Sequence, residues 1–124
     1  MHHSRLAGFI IDCKDTPPDA AAAFWGPALG MQALGDDGFG YAELRSGERD
    51  LHIEVQRVDH ASRVHIDIET DDRPAEVARL EALGATRVGS GARWDIMEAP
   101  TGQRFCVVQA RRPLAGLPGV TAWS

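Results

Sequence analysis

Cysteine is scarce in this chain of 124 residues. Cys13 and Cys106 are the two present, too few for a disulfide framework. They fit a reducing cytoplasm in which both thiols stay free. Long apolar runs are lacking: none approaches the roughly 20 residues that cross a bilayer, and no basic-then-apolar leader marks a secretory signal. A basic excess is lacking too. Thirteen Lys and Arg against eighteen Asp and Glu leave a net charge of -5, with a pI near 5.4. That sign argues against nonspecific binding of nucleic acid. What remains is ordinary globular composition, 44% hydrophobic and 25% charged. A chain this long is one domain's worth and can bury roughly two-thirds of its unfolded surface. Composition predicts a soluble, single-domain, cytoplasmic protein and names no chemistry.

The chain reads as two similar halves. Leu6-Ala7-Gly8-Phe9-Ile10-Ile11-Asp12-Cys13 has strand length and strand composition. Thr16-Pro17-Pro18-Asp19 supplies a cap and early prolines, and Ala20–Leu29 is helical up to Gly30. Phe24 and Trp25 read as core anchors of that helix, and Pro27 as a kink or early stop. Val64-His65-Ile66-Asp67-Ile68-Glu69 then alternates with period two. Asp71-Asp72-Arg73-Pro74 opens a second helix with Val77, Leu80 and Leu83 on one face. Both helices close on Ala-Leu-Gly, at Ala28-Leu29-Gly30 and Ala82-Leu83-Gly84. Three short strand candidates follow each, Met31–Leu34, Tyr41–Arg45 and Leu51–Arg57, then Thr86–Val88, Arg93–Glu98 and Arg104–Gln109. The expected class is α+β, with two β-α-β-β-β modules forming a curved mixed sheet and helices on its outer face. Module one spans about 5–58 and module two about 63–110 within a domain of residues 1–112. Residues 113–124 read as an irregular tail, apolar enough to dock on the body or on a partner. His2 and His3 are expected to be mobile.

Alternation sorts side chains by face. Val64, Ile66 and Ile68 are expected under the helices, with His65, Asp67 and Glu69 opposite. Leu51, Ile53 and Val55 oppose His52, Glu54 and Gln56. Phe105 and Val107 oppose Cys106. In the first strand, Phe9 and Ile11 oppose Gly8, Ile10 and Asp12. If the helix-free face curves into a cup, His52, Glu54, His65, Asp67 and Cys106 line it, and imidazoles, carboxylates and a thiol together are donors for a divalent metal. A polar face is equally what an open sheet turned to water carries. Tyr41 and Trp94 are candidates for stacking on a planar ligand or for packing at the rim. A nearby His65 would make Cys106 a candidate nucleophile; the alternative is a buried, inert thiol. Cys13 reads as packing.

The doubled plan, Asp12 to Asp15 leading into the first helix, Ala23-Phe24-Trp25, and Arg63-Val64-His65-Ile66-Asp67-Ile68 resemble the vicinal oxygen chelate superfamily, and within it the small glyoxalase-like domains. Ala82-Leu83-Gly84-Ala85-Thr86-Arg87-Val88 and Pro100-Thr101-Gly102-Gln103-Arg104-Phe105-Cys106-Val107-Val108 look like that group's second half. The resemblance covers about residues 5 to 110. It implies one metal ligand on the first and one on the last strand of each module. Those positions fall on Gly8, Glu54, His65 and Cys106. Gly8 offers no side chain, and Cys106 stands where metal-dependent members carry a glutamate. His52, on the face of Glu54, is a candidate substitute, making Glu54, His65 and His52 the candidate metal ligands. The function this implies is a glyoxalase-like small-molecule-binding protein without a complete metal site, with no cofactor. The alternative is a lyase, isomerase or dioxygenase using Zn, Ni, Mn or Fe, in which Glu54 and His65 are the catalytic residues. The ligand-binding candidates are His52, Asp67, Trp94, Tyr41 and Cys106. The resemblance also implies a homodimer, and neither nucleic acid nor membrane as partner.

Overall fold

A computed structural model describes residues 1–124. It contains nine strands and two α-helices, an α+β fold with mixed strand pairing. The strands are β1 (His2–Lys14), β2 (Ala33–Asp36), β3 (Tyr41–Leu44), β4 (His52–Val58), β5 (Arg63–Thr70), β6 (Thr86–Ser90), β7 (Trp94–Glu98), β8 (Arg104–Gln109) and β9 (Thr121–Trp123); the helices are α1 (Pro18–Leu29) and α2 (Arg73–Ala82). The order strand, helix, three strands occurs twice, as the duplicated sequence pattern predicts. Two compact units hold the chain, residues 8–65 and residues 1–7 with 66–124; the boundaries fall inside β1 and β5.

In residues 8–65 the strand order is β2-β3-β4-β1. The hairpin strands pair antiparallel, while β4 pairs with β1 in parallel, Ile10 beside Glu54 and Asp12 beside Gln56. Helix α1 forms from an alanine-rich run that loses little side-chain entropy. Pro18 sits in its first turn, where a missing N–H leaves nothing unpaired. Gly30 closes it in the left-handed region at φ 68°. Pro27 does not shorten it, since the helix runs on to Leu29. Ile11, Ala21, Ala22, Ala42, Leu44, Ile53 and Val55 form the core, with Trp25 packed at its edge. Phe24 corrects the expectation of a core anchor: it is 63% exposed and meets Trp25 edge-on at 5.0 Å. Besides Pro18, the buried residues of α1 are the small Ala21, Ala22 and Gly26, so the helix lies close to the sheet and Phe24 falls outside that contact.

In the other unit the order is β5-β8-β7-β6, with β5 and β8 parallel. Asp72 caps α2 by accepting the Ala75 N–H at 3.1 Å. Val77 and Leu80 of α2 pack on Met97 and Val107, with Ile68 and Phe105 beside them. Ile68 thus faces the helix as alternation requires, but Val64 and Ile66 are 60% and 51% exposed. A helix of ten residues is about 15 Å long and covers only the end of β5 that carries Ile68.

The chain termini also depart from expectation. His2 and His3 belong to β1, and β9 pairs antiparallel with it, His2 beside Trp123 and Ser4 beside Thr121. Leu114 is buried. The imidazole of His2 meets the fully buried Glu76 carboxylate at 2.8 Å, and Arg79 grips the same carboxylate at 2.7 and 2.9 Å. The Trp123 indole N–H donates to Ser4 Oγ at 2.9 Å, and its ring lies 3.9 Å from the Arg79 guanidinium. Residues 113–124 thus dock on the body, held by the β9–β1 pairing, the Trp123–Ser4 bond, the Trp123 ring on Arg79 and the buried Leu114.

Candidate functional site

Period-two alternation in β4 buries Ile53 and Val55 and turns His52, Glu54 and Gln56 to the opposite face. Antiparallel register brings β3 alongside, so that Glu43 is the partner of Glu54 and Tyr41 the partner of Gln56. The side chains close on one another. His52 Nε2 pairs with Glu54 Oε1, and His52 Nδ1 lies 3.3 Å from Glu43 Oε1. The Gln56 amide donates to the Tyr41 hydroxyl at 2.8 Å. The face thus carries an imidazole between two carboxylates, next to a phenol and an amide.

β1 contributes Gly8, Ile10 and Asp12 to this face. At Gly8 the backbone of β4 is so near that an added Cβ would stand 1.9 Å from the carbonyl oxygen of His52. No side chain fits there unless the backbone moves. The first-strand ligand position of module one is therefore closed by main chain as well as empty of side chain.

Asp12 is the group on this face that sequence reasoning passed over. Its side chain is 1% exposed, and Oδ2 meets His65 Nδ1 at 2.7 Å and Arg63 Nε at 3.6 Å. A carboxylate only accepts, so Nδ1 carries the proton of this bond. Asp12 Oδ1 is buried and takes no hydrogen bond. A buried carboxylate keeps its charge only against such partners. The signal was one acidic residue in an otherwise apolar strand, on the face opposite Phe9 and Ile11. Glu43 and Gln56 were likewise recoverable from alternation.

His65 is also the first of three metal-capable side chains. His65 and Asp67 share β5, and Cys106 of β8 is the register partner of Asp67. Asp67 is buried and Cys106 partly so. The structure therefore groups His52 with Glu54 and Glu43, and His65 with Asp12; Asp67 stands beside Cys106 in the β5–β8 register. Trp94 stands in β7 with its ring over Gly91, 2.4 Å from where a Cβ would be, and is packed against its own hairpin. Cys13 lies in the helix-side core; burial, then the charge of Asp12, push its thiol up, which suits packing rather than reaction.

Residues 8–108 match the sequence model of a family described as a glyoxalase-like domain. No curated protein matches the chain. Among solved structures, a hypothetical protein from Bacillus halodurans C-125 is similar over 91% of this chain and 99% of its own, with 15% identity and a TM-score of 0.67. The Mn(II)-bound glyoxalase from Novosphingobium aromaticivorans is 24% identical over 91% of this chain, with a TM-score of 0.59; the match spans 44% of that chain, less than half its length. Methylmalonyl-CoA epimerase from Mycobacterium tuberculosis is 18% identical over 91% of this chain and 92% of its own, with a TM-score of 0.56. Identities this low speak for the fold. No helix is long and apolar enough to cross a membrane.

Proposed function

The chain belongs to the family of glyoxalase-like domains, and on that premise we propose that it binds a small polar organic molecule on the sheet face of residues 8–65, without the metal set its resemblance implies. One observation carries the reading: the His52 carbonyl occupies the space that a side chain at position 8 would need. Of the remaining implied positions, Glu54 is engaged by His52, and His65 by Asp12. A set that needs a ligand from position 8 does not fit these residues.

The face has what a small ligand needs instead. Glu43, Glu54 and His52 offer acceptors and donors for hydroxyl or amino groups, and Tyr41 and Gln56 present a second polar pair. A small-molecule site recognises its ligand by a few placed polar groups of this kind. His65 and Glu54, the candidate catalytic pair, act here as binding groups.

Thermal unfolding across a panel of small metabolites, run in EDTA, tests the proposal. Binding at 100 times Kd stabilises by about 2.7 kcal/mol, a rise of several degrees. The rise should be lost in Glu54→Gln and reduced in Tyr41→Phe. A panel without any stabilising compound, or stabilisation indifferent to both substitutions, overturns it.

A further inference from the structure

We infer that the groove beside the C-terminal half of α1 binds a medium-chain monocarboxylate, its head on Arg45 and Arg49 and its alkyl tail along the helix. The site goes beyond the ligand face of β3 and β4 and lies wholly within residues 8–65. Two open cavities of about 400 and 510 Å³ meet at Gly30 and Met31, volumes of the order that a small ligand fills. The first lies between α1 and β2, over Ala22, Ala23, Gly26 and Ala33. Side chains this small leave the groove open to a tail. The second continues from Met31 to the loop after β3, where Arg45 and Arg49 line it.

Charge selects the occupant. The chain has a net charge of -5, yet none of its carboxylates pairs with Arg45 or Arg49; the Arg49 guanidinium reaches only the Ser46 carbonyl, at 3.5 Å. Glu48 is the one acid lining this end. Two guanidiniums against one carboxylate leave a single positive charge, which matches a monoanion better than a phosphate dianion. A guanidinium also offers paired N–H groups at the spacing of carboxylate oxygens. The loop is fixed before a ligand arrives, which lowers the cost of binding: Ser46 Oγ donates to the Leu51 carbonyl at 2.6 Å and accepts the Leu51 N–H at 3.0 Å, and the Arg45 N–H donates to the Gln32 carbonyl at 2.9 Å. Along the helix, the carbonyls of Gly26 and Pro27 already accept the N–H groups of Met31 and Gly30. They ask for no further partner, so this floor suits methylenes. At the far rim Asp19, whose Oδ1 accepts the Asp36 N–H at 3.0 Å, repels a carboxylate and sets the orientation.

The test is titration calorimetry of the full chain with decanoate, octanoate and hexanoate at neutral pH, below micelle formation. Decanoate should bind at one equivalent, and each pair of methylenes removed should weaken binding about 4- to 16-fold. Arg45→Gln and Arg49→Gln should each weaken decanoate about 3- to 10-fold, with a smaller effect at high salt. Ala23→Leu, at an exposed position of α1, fills tail space and should weaken it as well. Glu54→Gln should leave decanoate binding unchanged, which keeps this result apart from that of the metabolite panel. The assignment is overturned by any of four outcomes: no saturable binding of the three acids, binding indifferent to chain length or to both arginines, binding to phosphatidylglycerol vesicles but not to free decanoate, or arginine variants that alter self-association and leave decanoate binding as it was.

Discussion

Gly8 is glycine because of its neighbour's backbone. Its φ is not in the left-handed region; what it lacks is room. The atom in the way is a carbonyl oxygen of a paired strand, which cannot rotate aside as a side chain can. Gly8→Ala should therefore destabilise by about 1–3 kcal/mol, the usual cost of overpacking, read as a lower urea midpoint. Gly8→His should destabilise more and should not recruit a metal. His65→Ala makes a second case. It strands the Asp12 carboxylate in a nearly waterless position with Arg63 alone, at 3.6 Å. Removing one member of a buried pair costs about 3–5 kcal/mol, so His65→Ala should lower stability more than Asp12→Asn, which removes the charge itself. His52 and Glu54 could be placed on one face by counting in twos along β4. The Asp12–His65 bond could not, because it joins residues 53 apart in the chain and no local pattern encodes which distant strand an acid will meet.

Elements fail and succeed for equally definite reasons. Period two located β4, β5 and β8 to within about a residue, but it cannot say how far a helix reaches along a strand. That is why Val64 and Ile66 were expected inside and lie outside. The terminal segment was opaque because its order depends on other elements: β9 is three residues long and exists only against the start of β1. Trp123→Ala removes the stacking on Arg79 and the bond to Ser4, worth about 1 kcal/mol each. Thermal unfolding should fall by several degrees, and the backbone amides of His2, His3 and Ser4 should exchange faster. The buried carboxylate beneath this strand gives the unit an acid limit. Burial opposes ionisation of Glu76, but hydrogen bonds from Arg79, His2 and Ser4 outweigh it and hold the carboxyl below its ordinary range. A group with a lowered folded pKa contributes stability that is fully present above the unfolded value and disappears as pH falls through the folded one. Urea midpoints of the natural chain should drop on acidification below the ordinary carboxylate range, and Glu76→Gln should start lower and flatten that drop.

For the molecule as a whole, the duplicated order was legible because each half repeats the same punctuation: a strand, acid and proline opening a helix, Ala-Leu-Gly closing it. The chemistry was not, because fold and site are separable. The same architecture carries a manganese-bound glyoxalase and an epimerase at 24% and 18% identity, and a single backbone approach at Gly8 is enough to change which donors are available. Charge is a property of the whole chain too, and it sets behaviour that no single site controls. Net charge falls from -5 at pH 7 to zero near pH 5.4, where mutual repulsion between molecules vanishes and solubility is least. The carboxylate of Glu76, and that of Asp71, on which burial is outweighed by its bonds to His3, both titrate below their ordinary range, so the fold should survive through that minimum. Turbidity should peak near pH 5.4 while the near-ultraviolet circular dichroism of the supernatant stays native, and the precipitate should redissolve as folded protein when the pH is raised. A loss of the near-ultraviolet signal at or above pH 5.4 would mean that these hydrogen-bonded carboxylates do not set the acid limit.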